Sequence, residues 1–223
     1  MKFFETLKKE TAQERIDLFA APIIVEALRG NTTLNEYVAF LTQAYHHVKH
    51  TVPLLMAVGS RLPDEYEWLR EAVAEYITEE IGHQEWILND IAACGFDKEV
   101  VCAGLPSQAT ELMVSYAYDT IARVNPMGFF GMVFVLEGTS IALADNAANT
   151  IRETLSLPQK AFSYLYSHGS LDIEHVKFFE DLMNLLDDQR DQAQIIHSAR
   201  VFYKLYGDIF RSLSPGQGIE LAA

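Results

Sequence analysis

Apolar side chains along this chain return every three or four residues, and Pro and most Gly fall between the periodic runs. Ile16, Phe19, Ala20, Ile23 and Ile24 keep that spacing until Gly30 stops the run. Thr33 and Glu36 form a capping-box pattern ahead of Tyr37, Phe40, Leu41, Ala44, Tyr45 and Val48, a second run that reaches towards Gly59. Pro63, followed by Asp64 and Glu65, opens a third run through Leu69, Val73, Tyr76, Ile77 and Ile81 that ends near Gly95. Residues 96–105 read as a loop. Further helix starts follow at Pro106 with Ser107, at Asn125 with Pro126, and at Leu157 with Pro158; Asp187 and Asp188 then separate off a last helix that stops near Pro215. The helix after Pro126 is apolar on nearly every side, as a central buried rod would be. No segment alternates with period two, and no Asn-Gly or Asp-Gly hairpin signal occurs. The pattern implies an all-α fold, a single compact bundle of about seven helices filling residues 1–223 as one domain.

Charge narrows the function. The formal net charge is −14, with 17 Lys and Arg and no basic patch, which argues against nucleic acid as a partner and against an anionic membrane surface. The longest apolar run, residues 129–136, stops at Glu137, well short of the roughly 20 residues that span a bilayer. Lys2 and Glu5 stand where a secretion signal would be apolar. Cys94 and Cys102 form no Cys-x-x-Cys pair and no disulfide framework, so a reduced, cytoplasmic protein is expected.

Three groups of residues carry candidate chemistry. In the sixth run, His168, Asp172 and His175 fall within roughly 60° of one another at 100° per residue, a transition-metal ligand set on one helix stripe. In the third run, Glu80 and His83 are i,i+3 neighbours, the spacing of the Glu-x-x-His pairs of di-iron bundles; Glu79 could reach the same side, and the sequence leaves that choice open. Glu137 interrupts the apolar central helix, where an ionised carboxylate is costly unless it binds a cation or accepts hydrogen bonds. Three carboxylates and three imidazoles from three helices suit two carboxylate-bridged metal ions, iron or manganese by ligand type, with zinc able to occupy the same groups. His46, His47 and His50 have no carboxylate on their own stretch and carry Lys49 among them, which fits a pocket-lining or half-exposed face better than a metal site.

With those motifs in place, the chain resembles the haem-oxygenase-like di-metal oxidases, iron-containing redox enzymes of the wider TENA-like and pyrroloquinoline-quinone-synthase-like fold group. The resemblance runs from about Tyr45 to the end, and the stretch from His168 to His175 is its most specific part. It implies Glu80, His83, Glu137, His168, Asp172 and His175 as ligands of two iron ions, with Glu137 bridging or flanking them as the catalytic carboxylate. It implies dioxygen as cosubstrate, an electron donor, and a small, partly apolar substrate of the fatty-acid, amino-acid or aromatic-precursor class. Tyr45, Phe129, Phe130 and Phe134 are the candidate pocket wall, and the long apolar helices are compatible with a homodimer. The alternative is a TENA-like thiaminase or thiamin-salvage protein, or a non-catalytic regulator on the same fold. Against a thiaminase, Pro126 is followed by Met127 and not by a cysteine; against haem, no histidine precedes His46.

Overall fold

The structure, a computed structural model, describes residues 2–213, the side chains of residues 168–175 excepted. Among these residues the chain forms twelve α-helices and no strand. They are α1 (Phe3–Glu10), α2 (Ala12–Phe19), α3 (Pro22–Leu28), α4 (Leu34–Val48), α5 (Thr51–Gly59), α6 (Glu67–Glu80), α7 (His83–Ala93), α8 (Lys98–Ala103), α9 (Gln108–Asp119), α10 (Phe129–Leu155), α11 (Ser163–Met183) and α12 (Gln189–Ser212).

The all-α architecture agrees with the sequence pattern, but about seven helices was too few. Several continuous apolar runs are bent rods. The first breaks at Ala20 and Ala21, where Pro22 can begin a helix but cannot continue one. The second breaks between α4 and α5 at Lys49 and His50. The third breaks at Gly82, whose φ of 95° lies in the left-handed region that glycine tolerates best. Periodicity survives such corners because the apolar face keeps pointing inward on both sides. The stretch 96–105, read as a loop, holds the short helix α8, whose N-terminus is capped by Asp97 accepting from the Glu99 N–H.

Other start signals behave as expected. Thr33 accepts from the Glu36 N–H at 3.3 Å and its own N–H donates to Glu36 Oε2 at 2.7 Å, closing the capping box of α4. Asn125 accepts from the Met127 N–H and donates to Asp191 on α12, fixing the turn that leads into α10.

Helix α10 is the central rod, and α11, α12 and α3 pack along it. Its approach to α12 is close. A Cβ on Gly131 would lie 2.6 Å from the Ala199 nitrogen and 2.8 Å from the Ile195 carbonyl oxygen, so only glycine permits this crossing. The segment Pro126–Leu155 is long and apolar enough to cross a bilayer by length and composition, yet 61% of its most apolar window is buried inside the bundle. Buried side chains form two clusters, one around Phe130, Phe179 and Phe202 and one around Tyr37, Ile87 and Phe162.

Candidate metal centre and its cavity

Glu80 closes α6 and His83 opens α7, so the pair does not share one continuous helix face as the sequence suggested. It meets across the corner instead. Ile81 is extended and Gly82 is left-handed, and the turn brings His83 Nδ1 to 3.0 Å from Glu80 Oε2. Both side chains are largely withdrawn from water, at 4% exposure for His83 and 12% for Glu80. The imidazole stacks on Trp86 with ring centroids 4.0 Å apart. The approach sets a carboxylate and an imidazole side by side at the corner between α6 and α7. Glu79 is exposed whereas Glu80 faces the cavity described next.

A cavity of about 180 Å³ runs beside α10 and takes lining residues from both core clusters. Its walls are mainly apolar, and Glu80 and Glu137 enter it from α6 and α10. Tyr76, one helical turn before Glu80, also lines it. Burial holds the Tyr76 hydroxyl far above its ordinary range, and the charges of Glu137 and then Glu79 push it further the same way. Tyr76 therefore keeps its proton at neutral pH and can serve as a donor. The sequence reading placed Tyr76 only in an apolar stripe; its i,i+4 spacing to Glu80 was the available signal.

The remaining candidates are distributed unevenly. Phe129 lines the cavity, but Tyr45, Phe130 and Phe134 are not among its lining residues. Phe130 stands about 100° around α10 from Phe129 and is buried in the core. Phe134 packs against Phe4, Phe179 and Tyr203. The Tyr45 hydroxyl lies 3.1 Å from Cys102 Sγ, away from the cavity. His47 is buried and lines the cavity, edge-on to Tyr206. His46 is also buried, beside Lys49 Nζ at 3.2 Å, and His50 meets the Tyr118 hydroxyl at 3.1 Å. The side chains of His168, Asp172 and His175 lie outside the described residues; their backbone belongs to α11, which packs along α10. Among the described residues no three His, Cys, Asp or Glu side chains form a group able to hold a metal ion.

One buried carboxylate escaped the sequence reading. Asp90 on α7 is fully buried and accepts from the Ser163 N–H at 3.0 Å and the Tyr164 N–H at 2.9 Å, so it caps the start of α11 from another helix. No local spacing announces a cap supplied from so far along the chain.

Comparisons with known proteins agree with this architecture. Residues 38–207 match the model of a family described as iron-containing redox enzyme. A domain of unknown function with a haem oxygenase-like fold from Shewanella denitrificans superposes with a TM-score of 0.84 at 25% identity, covering 96% of this chain and 92% of that one. A TenA homologue from Pseudomonas syringae gives 0.79 at 12% identity over 94% and 91% of the two chains. Haem oxygenase-2 from Synechocystis, solved with haem and NO, gives 0.75 at 16% identity over 96% and 85%. No curated protein sequence matches the chain.

Proposed function

This chain belongs to the iron-containing redox enzyme family, and on that premise we propose that it is an O₂-activating non-haem di-iron oxidase or oxygenase acting on a small, partly apolar organic substrate with an external electron donor. The observation that carries the reading is the entry of Glu80 and Glu137, from two different helices, into one apolar cavity, with His83 held against Glu80. Carboxylates in such surroundings are costly without a cation or hydrogen-bond donors, and carboxylate with imidazole is a donor set that iron accepts. The side chains present thus fit the metal. Glu80, His83 and Glu137 would hold it together with His168, Asp172 and His175 of α11. Bound there, iron would supply the electrons and open coordination positions that dioxygen reduction needs.

The protein's own contribution follows from the site. Glu80 keeps its carboxylate beside the His83 ring. Tyr76, kept protonated beside Glu137, offers a hydrogen bond from its Oη to a substrate or to the carboxylate. Phe129, Met132, Val133 and Leu136 line the wall of α10 around Glu137, exclude water and favour an apolar substrate portion. Neither Cys94 nor Cys102 is among the cavity's lining residues, which favours metal chemistry over the thiol nucleophile of a thiaminase. Metal analysis of protein expressed with supplemental iron tests the reading. About two iron atoms per chain in the wild type and a clear loss in Glu137→Leu are expected. Background iron in the wild type would overturn it.

A further inference from the structure

The polar lining of the cavity near the turn between α3 and α4 is mostly committed to protein partners. Glu36 is held in the capping box with Thr33, and the Tyr37 hydroxyl donates to the Ala161 carbonyl at 2.7 Å. Thr32 differs. It is 7% exposed, it lines the cavity, and its buried Oγ1 has no hydrogen-bond partner. A buried hydroxyl left without a partner is a cost that a fold rarely carries unless something meets it.

Its position gives that something a shape. Thr154 Oγ1 donates to the Gly30 carbonyl at 3.4 Å, which sets the α3–α4 turn beside the C-terminal end of α10. Glu137 lies about 25 Å back along α10 at 1.5 Å per residue, and Thr32 is two residues, at most about 7 Å, from Gly30. The hydroxyl and the Glu137 carboxylate are thus well separated along the cavity, roughly 20 Å apart by helix rise. Ala27, Leu28, Leu143, Ala144 and Ala147 line it without a polar side-chain atom.

We propose that Thr32 is a distal anchor: its hydroxyl hydrogen-bonds a polar group at the remote end of an elongated, otherwise apolar substrate whose reacting end lies by Glu137. The inference rests on the cavity being the substrate site. It narrows the substrate to chains that are polar at both ends.

Calorimetric titration of the metal-free full-length chain with dodecanol and with α,ω-dodecanediol tests it. These probes differ by one terminal hydroxyl. The wild type is expected to bind the diol about fivefold tighter, the gain of one recovered hydrogen bond. Thr32→Val, which keeps the shape and removes the hydroxyl, should abolish the preference while leaving dodecanol binding unchanged; Thr32→Ser should retain it. Equal binding of both alcohols by the wild type, binding of neither, or a preference that survives in Thr32→Val would each overturn the assignment. Should Thr32→Val not fold, Thr32→Ala carries the same expectation. Iron content is measured on separate samples, so a wild type that shows no diol preference while its iron binding is intact refutes the anchor and not the di-iron reading.

Discussion

Replacing Asp90 tests how the fold secures the helix that carries half of the candidate ligands. Its carboxylate leaves α7 and accepts the first N–H groups of α11, from Ser163 and Tyr164, with the Ser163 hydroxyl as a third donor. Asp90→Ala would leave these part-buried donors facing the fully buried site that the carboxylate had filled. Each stranded donor costs about 1–3 kcal/mol, offset by release of a desolvated carboxylate, so a net loss of about 2 kcal/mol is expected. For a chain of this size that lowers Tm by about 4–8 °C. Asp90→Asn keeps the shape and one acceptor oxygen, and should cost about half as much. The pH dependence has a definite sign. Burial raises the Asp90 carboxyl above its ordinary 3.8, against the opposing pull of the Ser163 and Tyr164 donors. The stability this group contributes is therefore fully present below 3.8 and is lost as pH rises through the raised folded-state value. The wild type should gain on Asp90→Asn in acid and lose that advantage towards neutrality. Thermal unfolding by circular dichroism across pH reads both effects. An Asp90→Ala protein as stable as the wild type, or an Asn variant as damaged as the Ala variant, would refute the reasoning.

Two further outcomes follow from the geometry. Gly82 has a φ of 95° and open space where a Cβ would go, so Gly82→Ala should cost only the backbone strain of a left-handed residue, about 1–2 kcal/mol; a thermal melt that shows no loss would contradict the left-handed corner. Burial, then Lys49 and then His50, depress His46 to about 4, so NMR titration should find its ring neutral throughout the mildly acidic range. The stability it contributes is fully present above 6.5 and is lost as pH falls through about 4; an ordinary titration near 6.5 would contradict its burial.

The sequence revealed the helices more clearly than their joints. The capping box at Thr33 and the start at Pro126 are local signals, set by backbone groups a few residues apart, and both appear where expected. The corner at Gly82 was hidden because Glu80 and His83 keep an i,i+3 spacing whether the helix continues or turns. Glu137 was legible because a charge in an apolar helix demands a reason, and the cavity it lines supplies one. That Glu79 is exposed while Glu80 lines the cavity is visible only in three dimensions, since neighbouring residues differ only in which way the last turn of α6 points. Phe130 and Phe134 were misjudged as pocket wall because a helix apolar on nearly every side gives no sign of which face meets a void. Asp90 and Thr32 act on elements distant in sequence, or on none, and no spacing rule finds such residues.

Anaerobic titration with Fe(II), followed by exposure to oxygen, bears most directly on the central claim that carboxylates and imidazoles from separate helices hold a pair of cations. Saturation at about two Fe(II) per chain is expected, with oxygen uptake and a transient visible absorption band, both lost in Glu137→Leu. A wild-type chain that takes up no Fe(II), or binds it without consuming oxygen, would contradict the account.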